Sequence, residues 1–235
     1  MVPTAVVFDW GGTITPCGDA DLRDLWNLVA RVMAPTRARP LAEALEHAER
    51  AWWREALRSG RSGTTTEVLA AVAAAVGVDV VAAVRVAAEG NLEARTPHTI
   101  ADPEAMLVMH LVHARGLLTG LLTNTNWPRL WHERWLARDG LLGLFDARIY
   151  TNDLPFIKPH PGTFGAVLGA LGIADPATAV FVGDRPINDI WGAQQLGMRT
   201  ILLRGGPVPD YDVVPDATIS RLGQVLDVLD AWSSE

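Results

Sequence analysis

Thr4-Ala5-Val6-Val7-Phe8-Asp9-Trp10-Gly11-Gly12-Thr13 decides how the rest of the chain is read. An apolar run rich in β-branched residues is that of a short buried strand. It stops at an acid, and the glycine pair beyond allows a tight turn and close backbone approach. Open α/β sheets gather their chemistry at the carboxyl ends of parallel strands. An acid at that point is therefore either a reacting group or a turn cap, and this segment alone does not separate the two.

The rest of the chain supplies matching pieces in order. Leu117-Leu118-Thr119-Gly120-Leu121-Leu122 reads as a second buried strand ending at Thr123-Asn124-Thr125, and Ala147 to Thr151 as a third. Ala179-Val180-Phe181-Val182-Gly183 is a fourth, ending in Asp184 with Asp189 beyond it, and Thr200 to Leu203 a fifth. Lys158 lies in the loop Ile157-Lys158-Pro159-His160-Pro161.

Helical patterns fill the intervals. They run over Pro103–Arg115, from Pro128 onward with Trp127, Trp131 and Trp135 as a core stripe, over Pro161–Gly172 closed by glycine, over Asp189–Leu196, and through Val225 to Leu229. Strands alternating with helices imply a parallel, doubly wound sheet with right-handed crossovers. Between Thr15 and Arg95 no strand is expected. Asp19 is read as the cap of a helix over Asp21–Met33, and Pro40 as the start of another to Arg58. A third helix starts at Thr64, Thr65 or Thr66, and a fourth at Asp79.

Composition narrows the classes. The 235 residues are 49% hydrophobic and carry a net charge of −7, which argues against a nucleic-acid partner, since phosphate contacts need a basic face. A single cysteine, Cys17, excludes an intramolecular disulfide and an all-cysteine metal site. The most apolar stretch, Val68 to Ala88, is broken by Gly77, Asp79 and Arg85. Two helices of a soluble protein are expected there rather than a membrane span. With no signal-peptide pattern at the N-terminus, a cytoplasmic location is expected. His110 and His113, three apart on one helix without a third ligand, read as structural. Arg61, in a polar break, either faces an anion or caps a solvated turn.

Jointly, Asp9, Thr123, Lys158, Asp184 and Asp189 make a set suited to phosphoryl transfer. Carboxylates hold Mg²⁺, an oxygen-seeking ion, and a carboxylate oxygen of Asp9 attacks phosphorus to split the reaction into two steps. A hydroxyl and an ammonium then offset charge on the transferring group. Lys158 is the only lysine among 20 Lys and Arg residues, and it falls within this set.

The sequence resembles the haloacid dehalogenase superfamily of aspartate-nucleophile hydrolases. Phe8-Asp9-Trp10-Gly11-Gly12-Thr13 is similar to its first motif, Leu121-Leu122-Thr123-Asn124 to its second, Lys158-Pro159 to its third, and Gly183-Asp184 through Asp189 to its fourth. The resemblance implies a Rossmann-like core from residues 1–15 and 98–235, a parallel sheet with helices on both faces, and an inserted all-helical cap from residues 16–97. It also implies Asp9 as nucleophile, Mg²⁺ on Asp9, Asp184 and the carbonyl of Gly11, Asp189 in support of that metal site, and phosphate held by Thr123 and Lys158.

One departure matters. Phosphatases of the family carry a second Asp two positions after the nucleophile, which protonates the leaving group, and here that position is Gly11. The expected function is a Mg²⁺-dependent hydrolase of a small phosphorylated metabolite, working through an aspartyl phosphate and weakened by this change. The alternatives are a degenerate member that binds phosphate or a protein, a dehalogenase, or a phosphonoacetaldehyde hydrolase. The last needs a cap lysine that this chain lacks, and a dehalogenase has no need of the Asp184 and Asp189 pair.

Overall fold

The computed structural model describes residues 2–16, 21–76, 98–205 and 212–234. The strands are β1 (Ala5–Phe8), β2 (Leu118–Thr123), β3 (Ala147–Tyr150), β4 (Ala179–Gly183), β5 (Arg199–Leu203) and β6 (Ala217–Ile219). The helices are α1 (Leu22–Met33), α2 (Ala38–Ser59), α3 (Thr65–Val76), α4 (Ala105–Ala114), α5 (Arg129–Arg138), α6 (Pro161–Leu171), α7 (Gly192–Gln194) and α8 (Val225–Ser233).

All strand pairs are parallel, in the order β3-β2-β1-β4-β5-β6. The chain builds β2 and β3 to one side of β1 and then crosses to β4 on the other. The ends of β1, β2 and β4 thus meet where the strand order reverses, the crevice in which such sheets bind ligands. Phe8 pairs with Leu121 on one side and Val182 on the other, which brings Asp9, Thr123 and Asp184 to one edge of the sheet.

The two-residue period of β1 assigns its side chains to opposite layers. Val6 and Phe8 pack with Val108, Met109 and Val112 of α4, Trp135 of α5 and Leu229 of α8. Ala5 and Val7 pack with Phe164, Val167 and Leu168 of α6. Val6, Val7 and Phe8 are fully buried, a contribution of about 1.5–3 kcal/mol each. Helices α1, α2 and α3 gather around a separate apolar cluster that includes Trp26, Val29, Leu41, Leu45 and Leu69. No strand occurs among the described residues 21–76.

Several boundaries differ from the sequence expectation. Asp21 caps α1 by accepting from the Arg23 N–H, while Cys17 and Asp19 lie outside the described residues, as does the helix expected from Asp79. Helix α2 starts at Ala38, two residues before Pro40, behind a 3₁₀ turn over Pro35–Arg37. Trp127 precedes α5, because Pro128 is its N-cap with ψ 138; Trp131 and Trp135 are core residues as expected. The segment after Asp184 begins as a π-helical turn, Pro186–Trp191, before α7. The edge strand β6 was not expected, having three residues of which only Ile219 is buried.

Candidate active site

Asp9 follows β1 and keeps the sheet's register for one more residue, its N–H donating to the Val182 carbonyl at 2.9 Å. Beyond it the backbone turns back on itself: the Gly12 N–H donates to the Thr15 carbonyl at 2.7 Å, and Gly12 has φ 90, a left-handed value that glycine adopts without strain. Gly11 has no such φ, and a Cβ built there meets nothing within 4 Å.

Lys158 is buried and donates to Asp9 Oδ1 at 2.6 Å, to Asp189 Oδ1 at 2.7 Å and to the Leu122 carbonyl at 3.1 Å. Asn124 fixes the lysine's backbone from both sides: its Nδ2 donates to the Lys158 carbonyl and its Oδ1 accepts from the Lys158 N–H. The Lys158–Pro159 bond is cis. Asp189 Oδ2 also accepts from the Arg185 N–H at 2.9 Å, so both of its oxygens are held by the chain. Gly183 leaves room for this arrangement, since a Cβ there would overlap the Asp189 side chain. Asp184 pairs through Oδ2 with Arg185 Nε at 3.1 Å.

Asp9, Asp184 and Asp189 each offer an oxygen within 4.8 Å of the others, and all three are buried. Burial is the largest influence on Asp9 and pushes its carboxyl up to about 7; Lys158 pulls the other way, while Asp189 and Asp184 push it further up. Burial alone would lower the Lys158 ammonium. The Asp189 and Asp9 carboxylates outweigh it and hold that group above its ordinary value. The lysine remains charged among the acids.

A cavity of about 690 Å³ opens from Asp9 and Gly11, with Thr123, Lys158 and Asp189 also in its wall. The residues expected from sequence therefore converge; Asp184 does not line the cavity but offers an oxygen within 4.8 Å of Asp9 and Asp189. Arg61 does not line it and instead forms a backbone bridge with Phe156. His113 pairs with Thr119 and Asp146, and His110 is exposed. Trp53, Leu57, Trp127 and His132 also line the cavity and were not anticipated.

His132 is packed between Trp127 and Tyr150, with Trp10 and Trp135 edge-on, and its Nε2 meets Thr125 Oγ1 at 2.9 Å. Burial pushes its pKa down to about 3. The unfolded chain therefore takes up a proton near pH 6.5 that the folded chain refuses, so this group's contribution is present above pH 6.5 and is lost as pH falls. Between pH 7 and pH 5 the loss is about 2 kcal/mol. Asp9, shifted upward, acts with the opposite sign. Denaturant unfolding of wild type and His132→Gln at both pH values isolates the histidine: the wild type should lose about 2 kcal/mol more than the variant. Equal losses would refute the buried neutral imidazole.

A family model for haloacid dehalogenase-like hydrolases matches residues 3–197. The chain belongs to that family. Its matching segment is 30% identical over 132 residues to a glyceraldehyde 3-phosphate phosphatase of Pyrococcus furiosus, covering 54% of each chain. It is 35% identical over 124 residues to a phosphoserine phosphatase of Thermus thermophilus, covering 52% of this chain and 49% of that one. The chain thus spans about half the length of the curated relatives it matches. Among solved structures, a 2-haloacid dehalogenase from Pseudomonas syringae superposes with a TM-score of 0.73 at 28% identity, covering 99% of this chain and 100% of that one. Within this family the four strand-end motifs of the present chain meet at one crevice. No helix among the described residues is long and apolar enough to cross a membrane.

Proposed function

We propose that this member of the family is a Mg²⁺-dependent phosphatase that acts on a small phosphate ester through an aspartyl phosphate on Asp9. The observation that carries the reading is the cluster of three buried carboxylates with one buried lysine. Three acids against one ammonium and the Arg185 guanidinium still leave the site short of positive charge, and an all-oxygen donor set suits a hard dication. Asp9, Asp184 and the Gly11 carbonyl are the groups that would hold it, with Asp189 as support. When bound, the ion supplies positive charge opposite the phosphoryl oxygens.

The chain's own residues do the rest. Lys158 holds Asp9 Oδ1, which leaves the other carboxylate oxygen as the nucleophile. That oxygen forms a bond to phosphorus as the ester oxygen departs, and Thr123 with Lys158 steadies the phosphoryl oxygens. Water then cleaves the phosphorus–oxygen bond of the acyl phosphate, releasing phosphate and restoring Asp9. In this reading residues 16–97 are the cap, whose described part reaches the cavity through Trp53 and Leu57. Within that range, Ser62 Oγ bonds the Thr151 carbonyl, the Ile157 N–H bonds the Gly60 carbonyl, and Thr65 bonds the Asn126 carbonyl.

The structural likeness to a dehalogenase favours attack on carbon as a second reading. The added acid Asp184 beside Asp9 argues for phosphorus, because carbon attack needs no metal. Calorimetry separates the two. Asp184→Ala should weaken Mg²⁺ binding by roughly 10–100-fold, the range seen when groups that support a metal are lost. Unchanged affinity would remove the metal site.

Gly11 predicts the substrate's leaving group. A general acid contributes roughly 10²–10⁴-fold, and no proton donor stands at that position. Aryl and acyl phosphates should therefore turn over much faster than sugar phosphates. The open space at Gly11 and its ordinary φ mean that a side chain fits there. Gly11→Asp should raise turnover of alkyl phosphates by about 10–100-fold and leave acyl phosphates nearly unchanged. A wild type already fast on alkyl phosphates, with no slope against leaving-group pKa, would contradict this.

A further inference from the structure

The cavity wall is divided. Several of its polar groups are already engaged: Lys158 holds two carboxylates, Asn124 holds the Lys158 backbone, and Thr125 Oγ1 accepts from the Trp127 N–H and meets His132. The other cationic side chain lining the cavity, Arg185, is paired with Asp184. Both cations in the wall are thus already paired with carboxylates of the chain. The same wall holds Trp10, Trp53, Leu57, Trp127 and Ile187, with Asn188 beside them.

These rings are braced from behind. Trp10 and Trp127 pack on His132 and Trp135, and Trp53 meets Trp52 edge-to-face at 4.7 Å. Trp53 and Leu57 are one helical turn apart on α2 and so present one face toward the core. Leu57 is 54% exposed and Ile187 36%, which leaves apolar surface bare at the mouth of a formed cavity. A wall of held rings orders little on binding, and a flat ring entering it gains stacking and apolar burial.

We propose that this wall is a leaving-group pocket for a flat, uncharged aromatic ring, making the substrate a monophosphate ester of a phenol rather than of a sugar, an amino acid or a hydroxy acid. A second carboxylate or phosphate on the substrate would have to compete with Asp184 for Arg185 or lie against the apolar wall, at a desolvation cost. The proposal rests on the phosphatase reading and adds to it. An aromatic leaving group also fits a site lacking its acid, since a phenolate needs less protonation than an alkoxide.

The test separates ring recognition from leaving-group reactivity by using ligands that do not react. Phenylphosphonate and methylphosphonate are titrated calorimetrically into the full chain with Mg²⁺ present. Phenylphosphonate should bind about tenfold more tightly, the size of one aromatic pairing. That preference should fall to within about twofold in Trp53→Ala and in Leu57→Ala, while Trp53→Phe, which keeps a ring, should retain most of it. Equal binding of the two phosphonates by wild type, or a preference that survives both alanine variants, overturns the pocket. Turnover of acetyl phosphate, which carries no ring, is measured alongside. Its presence with no phenyl preference refutes the pocket alone, and its absence refutes the phosphatase reading and the pocket with it.

Discussion

Asp9→Asn should lose roughly 10⁴–10⁶-fold in kcat on an acyl or aryl phosphate, the range seen when a nucleophile that acts within a unit is removed. The substitution preserves shape, so the β1 register and the Val182 contact should survive. What disappears is the nucleophile. An amide oxygen forms no stable phosphoryl adduct, and the fall should therefore be in kcat on every substrate, whatever the leaving group. The electrostatic consequence is smaller, because one negative charge leaves a site that holds three acids within 4.8 Å. Folding stability measured by denaturant should stay close to that of wild type. A variant that keeps a substantial fraction of wild-type turnover would mean that water or another residue attacks the substrate.

Lys158→Met is the second large effect, and it acts on both stability and rate. The ammonium is buried and bonded to two carboxylates at 2.6 and 2.7 Å. Removing one partner of a buried ion pair typically costs about 3–5 kcal/mol, because the remaining charge is left without compensation. The Asn124 contacts reach the lysine's backbone and should survive, so the loop stays near its place. Turnover should drop by roughly 10²–10³-fold, as when one preorganised donor is lost from a charge-stabilising site. Mg²⁺ should restore part of the lost stability, and raise the melting temperature more in this variant than in wild type, because ligand binding to the folded state stabilises in proportion to affinity. Thermal unfolding with and without Mg²⁺ measures this. A metal-free variant as stable as wild type would show that the three acids do not depend on the lysine.

Much of the fold was legible because a parallel sheet buries its strands on both faces and so spells them as apolar runs. β1, β2, β4 and β5 read that way, and the first three run into Asp9, Thr123 and Asp184, which the topology brings to the crevice. β6 did not, because a three-residue edge strand with one buried side chain carries no such run. The tryptophan spacing misled at one end. Trp127, Trp131 and Trp135 recur at helical intervals, yet the residue before a proline is pushed away from helical φ and ψ, and Trp127 is left in the loop facing the cavity. The π-helical turn after Asp184 also has no sequence period of its own.

At the site, the types and order of Asp9, Thr123, Lys158, Asp184 and Asp189 were readable, but their pairing was not. Asp189 was expected to support a metal, and the structure gives both of its oxygens to Lys158 and the Arg185 backbone. Thirty-one residues separate Asp189 from the lysine, and the strand order brings the loop after β3 and the turn after β4 to one crevice. The aromatic wall was hidden for a similar reason. Trp53 and Leu57 belong to a helix whose periodicity points to its own cluster, and nothing local indicates that its other face looks across to Trp10 and Trp127.

The claim on which the account depends is a covalent bond between Asp9 and phosphorus. The direct measurement is acid quenching of the wild-type protein during its first turnover of acetyl phosphate with Mg²⁺, followed by digestion and mass spectrometry of the peptide that carries Asp9. A phosphoryl adduct should form on that peptide, be removed by hydroxylamine, fail to form when Mg²⁺ is chelated, and be absent from Asp9→Asn. Phosphate release at the full rate with that peptide unmodified throughout the first turnover would contradict it.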